Sequence, residues 1–192
     1  MFRLLLLLCC GLLLVRPAAA QRVDVALGAA PAGFAWQPLP AIRAAMLLPA
    51  GWSYRAEGPK GAPTYYLTQQ ELGESSEFQT GCSLQVVRKA QARTGRLAPE
   101  YAELLLLRTG FGPAQQLLEK TAGAAGPFYR RAVRYREAPL EAEARIVYQL
   151  ALANARTDTL YLLTFESAER DWPAARKLGE VMVRELVLDG RL

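Results

Sequence analysis

Two apolar β-strand patterns stand next to each other near the end of the chain, and no other feature constrains the fold as strongly. The segments 144–153 (ARIVYQLALA) and 159–167 (TLYLLTFES) alternate with a period of two, which is typical of strands that bury one face. Ile146, Tyr148, Leu150 and Leu152 share one face, and Tyr161, Leu163 and Phe165 share another. The polar residues between the segments, NARTD, predict a turn. So short a connection predicts an antiparallel pair, because parallel strands need a crossover of about a dozen residues or more.

An amphipathic helix is predicted directly after these strands. Asp171 stands where a capping residue is expected, and Pro173 suits the first helical turn. One apolar stripe recurs at spacings of three or four and comprises Trp172, Ala175, Leu178, Met182 and Leu186. We expect this stripe to lie across the sheet, with Trp172 as an anchor at the edge of the core whose truncation to alanine costs ~3–5 kcal/mol. A ligand-stacking role is the alternative for Trp172.

The earlier segments extend this arrangement. Strands are predicted within four segments, namely 44–52, 52–58, 64–70 and 78–90. A helix is predicted from Pro99 to a stop at Gly110, followed by two short strands joined by a small-residue turn within 114–137. Runs of strands interrupted by two helices, each with one apolar face, indicate an α+β fold in which helices cover an antiparallel sheet.

The first predicted helix carries four consecutive leucines at 104–107, and these cannot all face one sheet. Leu106 and Leu107, together with Trp172, are therefore candidates for a surface that binds an apolar ligand or a partner. A homodimer would explain the exposed leucines equally well.

The start of the chain has the layout of a secretory signal peptide. Arg3 precedes an apolar run, Pro17 interrupts it, and three alanines end at Ala20, where we predict cleavage. The apolar run is too short for a comfortable membrane span, so we expect a secreted or periplasmic protein with no span after cleavage. An uncleaved N-terminal anchor is the alternative. Residues 21–35 are predicted to form a flexible tail and 36–192 a single domain.

Few residues of the chain suggest catalysis. Histidine is absent, which excludes Ser-His-Asp and Cys-His nucleophile systems and the commonest zinc ligand. Cys82 lies in an apolar strand pattern and is interpreted as a small buried hydrophobe. The carboxylates of Glu71, Glu74 and Glu77 lack the spacing of a calcium loop, and no nucleotide-binding glycine motif occurs. We therefore predict no catalytic residue, no cofactor and no metal.

The basic residues favour a local anionic contact rather than a nucleic-acid surface. The net charge of +5 falls to about +3 when Arg3 and Arg16 leave with the signal peptide, which is too mild to indicate nucleic-acid binding. Strand alternation places Arg130, Arg134 and Arg136 on one face of FYRRAVRYRE. Three arginines can bind phosphate or carboxylate groups, so this face is a candidate contact for an anionic ligand or partner. The alternative is a solvated or helix-paired face.

The motifs LPAGW, YYLTQQE, FQTGCSLQVV and YLLTFESAERDW resemble those of the PsbP/Mog1-like family, in particular its secreted bacterial members of unknown function. The resemblance covers about residues 35 to 188, and its motifs are packing signatures. It implies an α/β/α sandwich with a central antiparallel sheet, and relatives that are mostly non-enzymatic adaptors or stabilisers. It transfers no ligand positions to this chain, since fold does not carry function.

We accordingly expect an exported, non-enzymatic binding or accessory module whose partner is a protein or an apolar or anionic ligand. One alternative is a carrier that holds an apolar or lipid-like ligand between sheet and helix. A hydrolase without a recognisable site is the third possibility.

Overall fold

The computed structural model describes residues 27–59, 61–73, 77–107, 112–140 and 142–190. The predicted signal peptide at 1–20 and its cleavage point after Ala20, the predicted helix stop at Gly110, and Glu74 lie outside these ranges. The described strands are β1 (Phe34–Leu39), β2 (Ala44–Pro49), β3 (Ser53–Glu57), β4 (Thr64–Thr68), β5 (Gly81–Arg88), β6 (Gln115–Ala125), β7 (Phe128–Glu137), β8 (Arg145–Asn154) and β9 (Thr159–Ala168). The described α-helices are α1 (Ala90–Thr94), α2 (Ala98–Leu107) and α3 (Trp172–Arg184).

Seven of these strands form one antiparallel sheet in the order β3-β4-β5-β9-β8-β7-β6. The two segments that alternate most clearly, β8 and β9, lie at its centre and pair along their whole length. Tyr148 lies opposite Phe165 and Leu150 opposite Leu163, so the two predicted apolar faces are one face of the sheet. The α+β fold with a central antiparallel sheet is confirmed.

Both faces of the sheet are covered, and each has its own apolar core. On one face, α2 packs against β7, β8 and β9. On the other face, α3 packs against β9 and against β2, which forms a separate two-stranded hairpin with β1. Cys82, Leu84 and Val86 share the core on the α3 side, as their alternation predicts. The arrangement is therefore the α/β/α sandwich that the resemblance implies.

One carboxylate joins the beginnings of α1 and α2 to the sheet. Asp158 lies in the turn between β8 and β9, and its Oδ2 accepts a hydrogen bond of 2.8 Å from the backbone N–H of Gln91. Its Oδ1 accepts one of 2.9 Å from the backbone N–H of Ala98. Both bonds satisfy N–H groups that a helix leaves unpaired at its start. The turn predicted from NARTD therefore also orients the helical layer on that face.

A cluster of three aromatic rings fixes α3 to the opposite face. Phe165 of β9 lies between Trp52 and Trp172, with ring centroids 6.5 Å and 6.0 Å away. The structure thus joins the Pro49-x-Gly51-Trp52 turn to the junction between β9 and α3, which supports their interpretation as packing motifs. Gly179 completes the contact, because a Cβ atom at this position would lie 2.9 Å from the Phe165 ring.

Several local boundaries differ from the sequence prediction. Residues 34 and 35 belong to β1 rather than to a tail, and Trp36 Nε1 donates a hydrogen bond of 2.8 Å to the Gly28 carbonyl. The strand predicted to residue 90 ends at Arg88, because Lys89 has a left-handed backbone with φ 52° and α1 begins after it. β6 and β7 are longer than expected, since the small-residue segment is itself paired.

The capping prediction for Asp171 is wrong. This residue has helical backbone angles, φ −93° and ψ −11°, and its side chain makes no capping hydrogen bond. A capping side chain reaches back to the helix from an extended backbone, which Asp171 lacks. Its carboxylate instead lies 3.6 Å from Arg170 Nε.

No helix within the described ranges is both long and apolar enough to cross a membrane.

We expect Gly179→Ala to lower the free energy of unfolding by about 1–3 kcal/mol, because the added methyl group overpacks against Phe165. This loss would occur although alanine is the better helix former by about 1 kcal/mol. Urea denaturation measures it. The matched control is Gly123→Ala in β6, where an added Cβ meets nothing within 4 Å. Equal stability of the Gly179→Ala variant and the parent would contradict the close contact.

Candidate functional site

A cavity of about 620 Å³ lies between α3 and the half of the sheet formed by β6, β7 and β8. We call it the α3 cavity. Of its seventeen lining residues ten are Gly or apolar: Ala125, Phe128, Leu150, Leu152, Phe165, Trp172, Gly179, Val183, Leu186 and Leu188. The strands supply its floor and α3 supplies one wall, because Trp172, Gly179 and Val183 lie on the same side of that helix.

Two of the three predicted arginines line the α3 cavity. Arg130 and Arg134 extend from β7 on either side of Ala132, whose small side chain leaves space between them. Arg134 Nη2 lies 3.1 Å from Glu119 Oε2 of the neighbouring strand β6. Arg130 donates hydrogen bonds to hydroxyl groups instead, at 3.3 Å to Thr121 and 3.2 Å to Tyr148.

Arg136 does not share this site. Its Nε donates to both carboxylate oxygens of Glu169, at 2.9 Å each, near the end of β9. The bonds from Arg136 lower the pKa of Glu169, as expected for a carboxylate paired with a guanidinium. The alternation along β7 places all three arginines on one face, as predicted, but their partners separate Arg136 from the other two.

Tyr148 links the polar and apolar parts of the cavity. Burial raises its pKa above the usual value, although the charges of Arg130 and Arg134 oppose that shift. It is therefore a neutral phenol at physiological pH. Because its oxygen accepts a hydrogen bond from Arg130, its own proton is available for another acceptor.

The wall formed by α3 adds further charges. Arg176 and Glu180 form an ion pair of 2.6 Å one helical turn apart. Arg184 also lines the cavity and lies 2.9 Å from Glu185. Of the four arginines in the described lining, Arg134, Arg176 and Arg184 each pair with a glutamate. The charge that favours an anion is therefore that of Arg130.

The three residues predicted to form an apolar binding surface, Trp172, Leu106 and Leu107, do not lie together. Trp172 packs at the edge of the core and also lines the cavity. The alternative role, stacking on a ligand, stays a prediction. Leu107 is 46% exposed on α2, on the opposite face of the sheet. Leu106 is only 1% exposed and packs in the α2 core with Ala98 and Ala102, so it is not a surface residue. Ala98, Ala102 and Leu106 follow one another at intervals of four residues, so they lie on the same, buried side of α2.

The described lining contains no serine, threonine or cysteine that could act as a nucleophile. Cys82 is fully buried in the core, and that burial raises the pKa of its thiol, so the reactive thiolate is disfavoured. What this arrangement offers chemically is apolar contact beside a cationic edge. Both properties suit the binding of a ligand with an apolar part and an anionic part.

Sequence comparison finds no matching protein-family model and no similar curated protein. Structure comparison does find similar folds. The solution structure of cyanobacterial PsbP (CyanoP) from Synechocystis sp. PCC 6803 aligns with a TM-score of 0.53 at 12% identity, over 86% of this chain and 98% of CyanoP. This chain has the PsbP/Mog1-like fold. The similarity in sequence is too low to transfer a function.

Two further solved structures are similar over most of their length. The Ran-binding protein Mog1p from Saccharomyces cerevisiae aligns with a TM-score of 0.46 at 16% identity, over 81% of this chain and 95% of Mog1p. LpqN, involved in cell envelope biogenesis of Mycobacterium tuberculosis, aligns with a TM-score of 0.42 at 12% identity, over 74% of this chain and 81% of LpqN.

We expect Trp172→Ala to lower the free energy of unfolding by about 2 kcal/mol, less than the ~3–5 kcal/mol of a fully buried tryptophan. The lower figure follows from the position of Trp172, which is only partly buried because one side of it lines the cavity. Chemical denaturation measures the loss. Trp52→Ala is the matched control, because it removes another tryptophan that contacts Phe165 but does not line the cavity. A loss of ~4 kcal/mol or more would mean that Trp172 belongs to the closed core.

Proposed function

We propose that this chain is an exported, non-enzymatic binding module that carries an apolar or lipid-like ligand in the α3 cavity. The observation that carries the proposal is the cavity itself, in which mainly apolar residues line a space of about 620 Å³. Small-molecule sites are typically about 300–1,000 Å³ in volume and mostly apolar, with a few polar groups that orient the ligand. The cavity lies between sheet and helix, where a carrier would hold its ligand.

The absence of a nucleophile motif supports the non-enzymatic part of the proposal. Histidine does not occur in the chain, and the polar side chains of the cavity are arginine, glutamate and tyrosine. Such groups orient and neutralise a ligand without needing to react with it.

Export is proposed from the sequence of residues 1–20 alone. We expect the full chain, expressed with its own N-terminus, to be recovered from the exported fraction with a mass that begins at Gln21. Intact-mass measurement of the exported chain determines its first residue directly. An intact N-terminus in the membrane fraction would instead indicate the uncleaved anchor.

The competing proposal is an accessory module that binds a protein partner or a second copy of the chain. Native mass spectrometry of the exported protein separates the two. A discrete extra mass that is lost on denaturation supports a carried ligand and gives its class. A bare monomer or dimer supports the accessory role.

We expect Val183→Trp to reduce binding of an uncharged fluorescent probe, N-phenyl-1-naphthylamine, by at least about tenfold, because the indole fills the space beside the apolar floor. Val183 lines the cavity from α3. Ala174→Trp is the matched control, since it adds the same group at an exposed position of the same helix outside the described lining. Melting temperatures of both variants establish that they are folded. Equal probe binding by the two variants would place the apolar site elsewhere.

A further inference from the structure

A small polar recess adjoins the α3 cavity where the arginines of β7 enter it. The recess has a volume of about 140 Å³ and shares Glu119, Arg130, Arg134 and Tyr148 with the larger cavity. Ala132 forms part of its lining, and this small residue is what separates the two arginines. An apolar cavity that ends in a recess of this kind matches a ligand with two chemically different ends.

The two arginines of the recess differ in their partners. Arg134 is neutralised by Glu119 at 3.1 Å. Among the residues that the structure describes, Arg130 has only the hydroxyl groups of Thr121 and Tyr148 as hydrogen-bond partners. A partly buried guanidinium with neutral partners keeps its charge available for an incoming carboxylate or phosphate, which it can bind through two parallel hydrogen bonds.

Tyr148 is placed to add a third hydrogen bond. Its hydroxyl oxygen accepts from Arg130 at 3.2 Å, so the hydroxyl proton is free to be donated to an anionic oxygen in the recess. Tyr148 also stands beside the apolar floor, since Leu150 and Phe165 are its neighbours on the sheet. The anion-binding groups and the apolar surface are therefore continuous.

We propose that the ligand is a single-chain amphiphile with an anionic head group, a carboxylate or a phosphate, and that Arg130 binds this head group in the recess. The acyl or alkyl chain lies along Leu150, Leu152 and Phe128 under the wall formed by α3. Arg130 is then the residue that determines specificity for an anionic head. This assignment rests on the proposed function, because it requires that the α3 cavity holds the apolar part of a ligand.

Displacement of N-phenyl-1-naphthylamine tests the assignment with three competitors that share one chain: dodecanoate, dodecyl phosphate and dodecanol. We expect at least one of the two anions to displace the probe from the wild type at a concentration at least about ten times lower than the concentration of dodecanol that is needed. In Arg130→Gln, the affinity for that anion should fall by about 10- to 100-fold, the size of a lost charge-assisted hydrogen bond. The affinity for the probe and for dodecanol should fall much less than that for the anion, because neither carries the charge with which Arg130 pairs. Which anion binds identifies the head group.

Arg136→Gln is the matched control, because it removes the same charge from the same face of β7 outside the cavity. Its anion affinity should equal that of the wild type. An equal loss in both variants would show a general charge effect and overturn the role of Arg130, and so would a wild type that binds dodecanol as tightly as the anions. In either case, probe binding by the wild type would leave the carrier function standing. Failure of the wild type to bind the probe at all would overturn both proposals.

Discussion

The width of the sheet is the constraint from which the candidate site follows. Seven strands at a spacing of about 4.8 Å form a layer roughly 30 Å across, while a helix with its side chains is only about 10 Å wide. On one face the cover consists of α3, which packs on β9, and the hairpin of β1 and β2. The strands β6, β7 and β8 extend beyond α3, and the apolar residues of their α3 face become the floor of the cavity. A second long helix on this face would have filled the same space.

The position of α3 depends on one buried ring. Phe165 is 2% exposed and is held between Trp52 and Trp172, and Gly179 lets the helix backbone approach it without a Cβ atom in between. Because protein interiors are close-packed, a helix seated in this way has little freedom to slide. The distance between the wall and the floor of the cavity is therefore fixed, although the contacts that hold α3 lie on β9, beside the cavity.

Periodicity was sufficient to predict β8, β9, α3 and the antiparallel sheet, because each of these elements repeats its apolar residues along one face. It failed where a local signal or a distant contact decides the outcome. β1 was not predicted, because it contains Pro38 and follows a segment rich in alanine and glycine. The contact of the Asp158 carboxylate with the beginnings of α1 and α2 was not predicted either, because it joins residues far apart in the sequence. A ligand between sheet and helix was one alternative from the sequence, but the position and lining of the cavity could not be predicted, since they depend on where α3 lies across the sheet. Leu106 was misassigned because a run of leucines conceals which one faces inwards.

The arginines of β7 show why a shared face does not mean a shared role. Alternation alone makes Arg130 and Arg134 equivalent, but the register with β6 does not. Glu119 lies opposite Arg134, whereas Gly123 lies opposite Arg130, in a register that runs without interruption from the turn between β6 and β7 to Glu119. A glycine offers no carboxylate and no side chain to fill the space, so Arg130 turns to Thr121 and Tyr148 instead. A shift of the register by two residues would place a different side chain opposite each arginine. The charge available in the recess is therefore a product of strand pairing, which composition and spacing within β7 do not encode.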